Sequence, residues 1–268
     1  MADEPEDVHL EEEEGGPIKP FLEHLEDLRW VLIKCIVALI IGMSACMAGT
    51  PYLIKVLTYP KPPQIKLEFF GPLDGFWISM KLSLFGGIIL GLPYILYVIL
   101  DFVLPALKKK ERKYIIRALG IGLGLFVAGA ALCYFLMLTL SLRATVQYNA
   151  WLGIPTSMWR AQEYFSFVSW FIIGMGAAFE LPVIVLTLVK LGLIEHSWLV
   201  KSRKYVFVIN LVVCSFITPD PVTTIFMIVP MQILMESCIW ISAYWERQKK
   251  SQEAALMASE SGHASVTD

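Results

Sequence analysis

Charge is scarce in this chain. Only 17% of its 268 residues are charged and 56% are hydrophobic, with a mean hydropathy of +0.62. Soluble domains carry about a quarter charged residues, so an ordinary soluble fold is excluded and an integral membrane protein is indicated. Histidine is scarcer still: His9, His24, His196 and His263 all lie in polar segments with no partner at ligand spacing. The five cysteines (Cys35, Cys46, Cys133, Cys214, Cys238) are scattered and form no CxxC pair. Neither a metal site nor a disulfide framework follows from them. GxSxG, HExxH and a phosphate-cradling glycine loop are all missing, so the chain reads as no enzyme, with no cofactor and no nucleic-acid partner. A basic leader is absent as well, since the first fourteen residues hold eight acids. Residues 1–19 therefore read as an acidic, disordered tail, and the first helix as one that is retained.

What is present is a series of apolar runs. Phe21, Leu22, Leu25 and Leu28 stand at helical spacing opposite Glu23, Glu26 and Asp27, the pattern of a helix lying on a membrane surface. It leads into a first span, 31–48, followed by a Pro- and Gly-punctuated loop, 49–75. Further spans are expected at 76–103, 114–138, 165–190, 205–217 and 222–244, with a second large loop at 139–164 and a polar tail at 246–268. Gly120, Gly124 and Ala128 recur every four residues in the third span, spacing that lets a neighbouring helix approach closely. The last two spans are short: 205–217 is about 20 Å as a helix, and Glu236 interrupts the sixth. Two short true spans are favoured over one buried re-entrant hairpin, and short spans thin the bilayer beside them.

Lysine and arginine set the orientation. Residues 104–117 hold six, 190–204 four and the C-terminal tail three, against Lys55, Lys61, Lys66, Arg143 and Arg160 on the other side. By the positive-inside rule both termini and the two compact loops are cytoplasmic. The fold class expected is thus an all-α membrane protein of six spans in one domain, 20–245.

One acid sits deep. Glu180 lies ten residues before Lys190, about 15 Å along a helix, which is near mid-depth in a hydrocarbon core of about 30 Å. An acid there costs on the order of 2.5–3.5 kcal/mol by insertion scales and usually faces a bundle interior or a wet cavity. A neutral carboxyl, able to donate a hydrogen bond, is the form expected at that depth. Pro182 follows two residues later, so a bend and the acid share one turn. Pro93 and Pro230 also fall inside spans. Glu111 is the one acid among Lys108, Lys109, Lys110, Arg112 and Lys113. By spacing alone it reads as an exposed ion pair, and Glu23, Glu26 and Asp27 read as a solvated face.

In order along the chain, these motifs resemble the TatC family, the multispanning subunit of the twin-arginine protein translocase. His24-Leu25-Glu26-Asp27-Leu28-Arg29 is similar to the family's HLxELR opening. Pro93-Tyr94-Ile95-Leu96-Tyr97, then Asp101-Phe102-Val103-Leu104-Pro105-Ala106-Leu107 and Glu111-Arg112, are similar to PxILYQxWxFxxPALxxxER. Phe179-Glu180-Leu181-Pro182 resembles FExP, and Thr218-Pro219-Asp220-Pro221 with Pro230-Met231 through Glu236 resembles the last hairpin. Two departures stand out: Asp27 replaces the family's glutamate, and Thr223-Thr224 replaces its Ser-Gln.

The resemblance implies a concave bundle with two short final helices in a bacterial inner membrane. It implies a receptor for folded precursors with twin-arginine signal peptides, driven by the proton-motive force. Partners implied are single-span TatA- and TatB-type proteins, the precursors, further copies of the chain in a multimeric complex, and the lipid bilayer. Asp27 and Glu111, with Glu26 or Glu23 sharing the role of Asp27, are the implied docking acids, because adjacent guanidinium forks suit carboxylates. Glu180 is the implied intramembrane contact for a partner helix or signal peptide. Pro93, Phe102, Pro105, Pro182, Asp220 and Glu236 are implied motif residues. The competing reading is a proton-coupled small-solute transporter with Glu180 as relay, against which stands the lack of paired interrupted helices.

Overall fold

The computed structural model describes residues 21–103, 109–154, 157–190, 194, 196–217 and 221–264. Its elements in order are α1 (Phe21–Ala48), α2 (Thr50–Thr58), β1 (Lys66–Glu68), α3 (Asp74–Val103) and α4 (Lys109–Leu132). A π-turn (Cys133–Met137) joins α4 to α5 (Leu138–Trp151), followed by β2 (Met158–Arg160) and α6 (Ala161–Lys190). The chain finishes with α7 (His196–Lys201), α8 (Arg203–Ile217) and α9 (Pro221–Ala264). Among the described residues, five helices are long and apolar enough to cross a membrane; α8, at 15 residues, falls below that length.

Glycine decides how the helices approach. A Cβ on Gly42 of α1 would stand 2.8 Å from the Gly87 carbonyl oxygen of α3, and one on Gly87 would stand 2.7 Å from the Met43 nitrogen. Gly86 lies as tightly against Cys46. These pairs run in opposite directions along the two helices, so α1 and α3 are antiparallel with touching backbones, the geometry by which helices associate in lipid. In α4 the working residues are Gly122 and Gly129, which receive the Glu180 carboxylate and the Phe179 ring of α6, while Phe126 fills the space over Gly176. This corrects the expected stripe. Gly120 and Gly124 have open space beside them, because that row points away from α6.

Helix α6 is the hub. Val168, Phe171 and Met175 are fully buried, and α6 packs against α3, α4, α8 and α9. The core around it takes in Cys133, Leu138, Cys214, Met227 and Met231. Ile217, the last residue of α8, fills the space over Gly174 near the middle of α6.

Two elements run well past the expected boundaries, and one expected loop contains structure. The third span continues as helix to Trp151 instead of yielding to a loop at 139, with Leu138, Ser141 and Leu142 buried. Its stop is a Schellman motif: Gly153 takes φ +75°, its N–H bonds Ala150 O at 3.0 Å, and Ile154 N–H bonds Asn149 O at 3.1 Å. Helix α9 persists to Ala264, through most of the expected tail, since a polar sequence free of proline still forms helix. Residues 49–75 contain α2 and β1 within what reads as loop.

The all-helical expectation gains one addition. β1 and β2 pair in parallel, with Lys66 opposite Met158 and Glu68 opposite Arg160. Two tyrosine hydroxyls complete this end of the bundle: Tyr134 donates to Val56 O and Tyr164 to Leu57 O, each at 2.8 Å. The Arg160 guanidinium lies 5.2 Å from the Phe70 ring centroid, and Asp74 accepts the Phe70 and Gly71 amides at 2.9 and 3.0 Å. The two long connections are thereby tied to each other and to α2.

The glycine contacts separate two substitutions that look alike in sequence. Gly42→Ala should cost about 1–3 kcal/mol through overpacking, whereas Gly120→Ala should be neutral or slightly stabilising, by about 0.4–1 kcal/mol. Thermal unfolding in detergent measures both, and equal responses would contradict the α1–α3 contact.

Candidate functional site

Glu180 stands two-thirds of the way along α6, with its carboxylate laid against the α4 backbone at Gly122. Only a residue without a side chain at 122 leaves room for it. One oxygen, Oε1, is enclosed and has no hydrogen-bond partner among the described residues. Pro182 lies inside an unbroken α6, and its carbonyl accepts the Cys238 thiol of α9 at 3.7 Å. The acid, the proline and the last helix therefore meet within one turn. A carboxyl with an unused oxygen can exchange one or two hydrogen bonds with an incoming polar group. No group of three or more His, Cys, Asp or Glu side chains able to hold a metal occurs among the described residues.

Asp27 is half-buried and Glu26 exposed in the first turns of α1. Because α1 and α3 are antiparallel, these turns share an end of the bundle with Val103, where α3 stops. Helix α4 starts at Lys109, so Glu111, in its first turn, belongs to that same end. The side chain of Glu111 lies outside the described residues, as do Pro105 and Asp220 entirely. Phe102 is half-buried near the end of α3, and Pro93 lies inside it. Next to Pro93, Tyr94 joins Trp30, Lys34 and Val37 along a cavity of about 550 Å³ between α1 and α3.

Glu236 does not interrupt α9. Its Oε2 is 2.9 Å from Arg203 Nη2, so the charge that shortens the apolar run is matched within the hairpin. The signal was available: Arg203 stands fourteen residues before Ile217 and Glu236 fifteen after Pro221, within one residue of the same distance from the turn signal Pro219-Asp220-Pro221 in the sequence. Lys81 was hidden because its span reads as apolar from Phe76 onward. It lies two turns into α3, where its Nζ donates to Ser166 Oγ of α6 at 3.0 Å; seven-residue spacing from Asp74 was the available clue. The buried amide Nδ2 of Asn210 and the Gln232 Oε1 carry no partner among the described residues, and nothing in the apolar runs around them marked them out.

The family described as "Sec-independent protein translocase protein (TatC)" matches residues 23–230. The chain belongs to the TatC family. It is 35% identical over 243 residues to the Sec-independent protein translocase protein TatC of Carboxydothermus hydrogenoformans, covering 90% of this chain and 99% of that one. The TatC of Aquifex aeolicus is 33% identical over 239 residues, 88% of this chain and all of that one. A chloroplastic relative from Pisum sativum is 30% identical over 82% of this chain and 62% of its own length. A crystal structure of the twin-arginine translocase receptor TatC superposes with a TM-score of 0.75 at 32% identity, covering 82% of this chain and 99% of that one. This is a TatC-family, multi-pass membrane protein of Sec-independent protein transport.

Contact between Gly122 and Glu180 gives a test within the TatC fold. Gly122→Ala must push the carboxylate off α4 or out of its rotamer, at a cost of about 1 kcal/mol, while Gly124→Ala meets open space. In a strain lacking its own TatC subunit, Gly122→Ala should lower export of a folded reporter severalfold and Gly124→Ala should leave it unchanged. The reverse order would contradict the assigned position of Glu180.

Proposed function

We propose that this chain is the receptor and core subunit of a twin-arginine translocase. It takes up the twin-arginine signal peptides of folded precursors at the membrane face bearing Asp27 and Glu111. It then moves the precursors across with TatA- and TatB-type single-span partners, using the proton-motive force. The observation that carries the reading is the family match over residues 23–230, joined to the common end of the bundle from which the first turns of α1 and α4 start.

In this reading α8 completes a sixth crossing and both ends of the chain are cytoplasmic, in agreement with thirteen cations in the 104–117, 190–204 and C-terminal segments. The membrane is the bacterial inner membrane, and several copies of the chain assemble in the receptor complex. Asp27, seconded by the exposed Glu26, and Glu111 each accept one arginine of the pair in charge-assisted hydrogen bonds. Glu180 offers its carboxyl at depth to a partner helix or an inserted signal peptide. Pro93, Phe102, Pro105, Pro182, Asp220 and Glu236 shape the helices and the hairpin. No observation favours the small-solute transporter.

A hydrogen bond to a charged group contributes about 1.5–3 kcal/mol, so Asp27→Ala or Glu111→Ala should each weaken signal-peptide binding by roughly tenfold or more. Site-specific crosslinking of a twin-arginine signal peptide beside the two positions reads this directly. Unchanged crosslinking in the double variant would remove the docking assignment. At depth, Glu180→Gln keeps hydrogen-bonding capacity and should retain most export, while Glu180→Ala should lose it; equal loss from both would show that the charge itself is required.

A further inference from the structure

The hairpin end that carries Arg203 holds a second feature. Arg203 of α8 and Arg247 of α9 line one cavity of about 350 Å³, together with Val200 of α7 and Ile239, Trp240 and Ala243 of α9. Ile239 is buried, whereas Trp240 is 74% exposed. Two guanidinium groups reach this space, and among the described residues no carboxylate lines it. Glu236 holds Arg203 through Nη2, which orients the fork and leaves its other N–H donors available.

The surroundings are those of a membrane interface. Lys190 Nζ sits 4.4 Å from the Tyr114 ring centroid and 4.7 Å from that of Trp245, and Lys204 Nζ lies 5.5 Å from Tyr205. Aromatic rings and cations gather at this level in spanning helices. Along α9, Val229, Ile233, Trp240 and Tyr244 are all largely exposed and recur at helical spacing, and the row ends at Arg247. An apolar track therefore runs up the outside of α9 and finishes at a pair of arginines.

We propose that this cavity binds an anionic phospholipid. Arg247 and the free donors of Arg203 hold the phosphate in bidentate fashion, and an acyl chain follows the Val229–Ile233–Trp240 row. Basic pockets between spanning helices suit such headgroups. The volume accommodates a phosphoglycerol headgroup and is near the lower limit for small-molecule sites. A net anionic lipid is selected over a zwitterionic one because Arg247 adds a positive charge beyond the one that Glu236 balances on Arg203.

The test uses the full chain in nanodiscs, with Trp240 emission isolated as the difference between the unaltered protein and Trp240→Phe. Brominated phosphatidylglycerol should quench that signal more steeply than brominated phosphatidylcholine at equal mole fraction. Equal quenching by the two lipids overturns the proposal. Arg247→Gln leaves the Arg203–Glu236 pair intact and should weaken the preference about fivefold. Arg203→Gln with Arg247→Gln should abolish it, and a preference unchanged in Arg247→Gln alone also overturns the assignment. In nanodiscs of phosphatidylcholine alone, glycerol phosphate in solution should leave Trp240 emission unchanged, whereas unbrominated phosphatidylglycerol should shift it; an equal shift from glycerol phosphate would show that a free anion suffices and would overturn the lipid as occupant.

Discussion

Helices surrounded by hydrocarbon gain little by burying apolar surface against one another, so their association rests on how closely their backbones approach and on a few polar links. This fold meets that constraint at two antiparallel contacts. The α1–α3 pair meets through Gly42, Gly86 and Gly87, and the α4–α6 pair through Gly122, Gly129 and Gly176. Between the pairs, α6 touches α3, α8 and α9 as well, so that its aromatic and sulfur-bearing residues form an environment common to most of the described helices. The position of Glu180 follows from the same constraint: a glycine that lets α4 and α6 approach also opens the slot in which the carboxylate rests.

Polar links appear where backbone contact is weakest. The hairpin α8–α9 meets α6 less extensively than α4 does, and within that hairpin Arg203 of α8 pairs with Glu236 of α9. At the opposite end, the hydroxyls of Tyr134 and Tyr164 hold the last carbonyls of α2. Each such bond contributes about 1 kcal/mol, and together they fix α2 in a position that its short length would not secure. The parallel pairing of β1 with β2 adds a tie between segments separated by three helical elements.

Much of this was legible in the sequence, for a physical reason. Hydropathy reports the solvent each segment meets, and that placed the long apolar helices, while the motifs taken in order gave the kinship with TatC. They do not report backbone geometry. Helix continuing from Leu138 to Trp151 and from Glu246 to Ala264 is polar helix outside the apolar runs, indistinguishable by hydropathy from loop. Which glycines pack depends on helix rotation: Gly120 and Gly124 repeat more regularly than Gly122 and Gly129, yet the latter face α6. Strands of three residues pair through backbone groups alone and leave no periodic trace. Lys81 shows the same limit from another side, since one cation in an apolar run says nothing of the Ser166 hydroxyl that receives it.

The two acids within the last apolar segments are handled differently, and the difference bears on mechanism. Glu236 has a guanidinium at 2.9 Å; both side chains are more than a third exposed, so the pair is screened and serves more to cancel charge than to stabilise. Glu180 faces the backbone of a glycine, with one enclosed oxygen left without a partner among the described residues. Leaving a buried polar atom unpaired costs roughly 1–3 kcal/mol, and replacing the acid by an apolar residue of similar size would avoid that cost without disturbing the α4 contact. A fold shaped only for stability has no use for it. In the function proposed above, that open valence is what the carboxyl would offer to a polar partner from outside the bundle, in the slot that Gly122 keeps open and beside the turn where Pro182 meets α9.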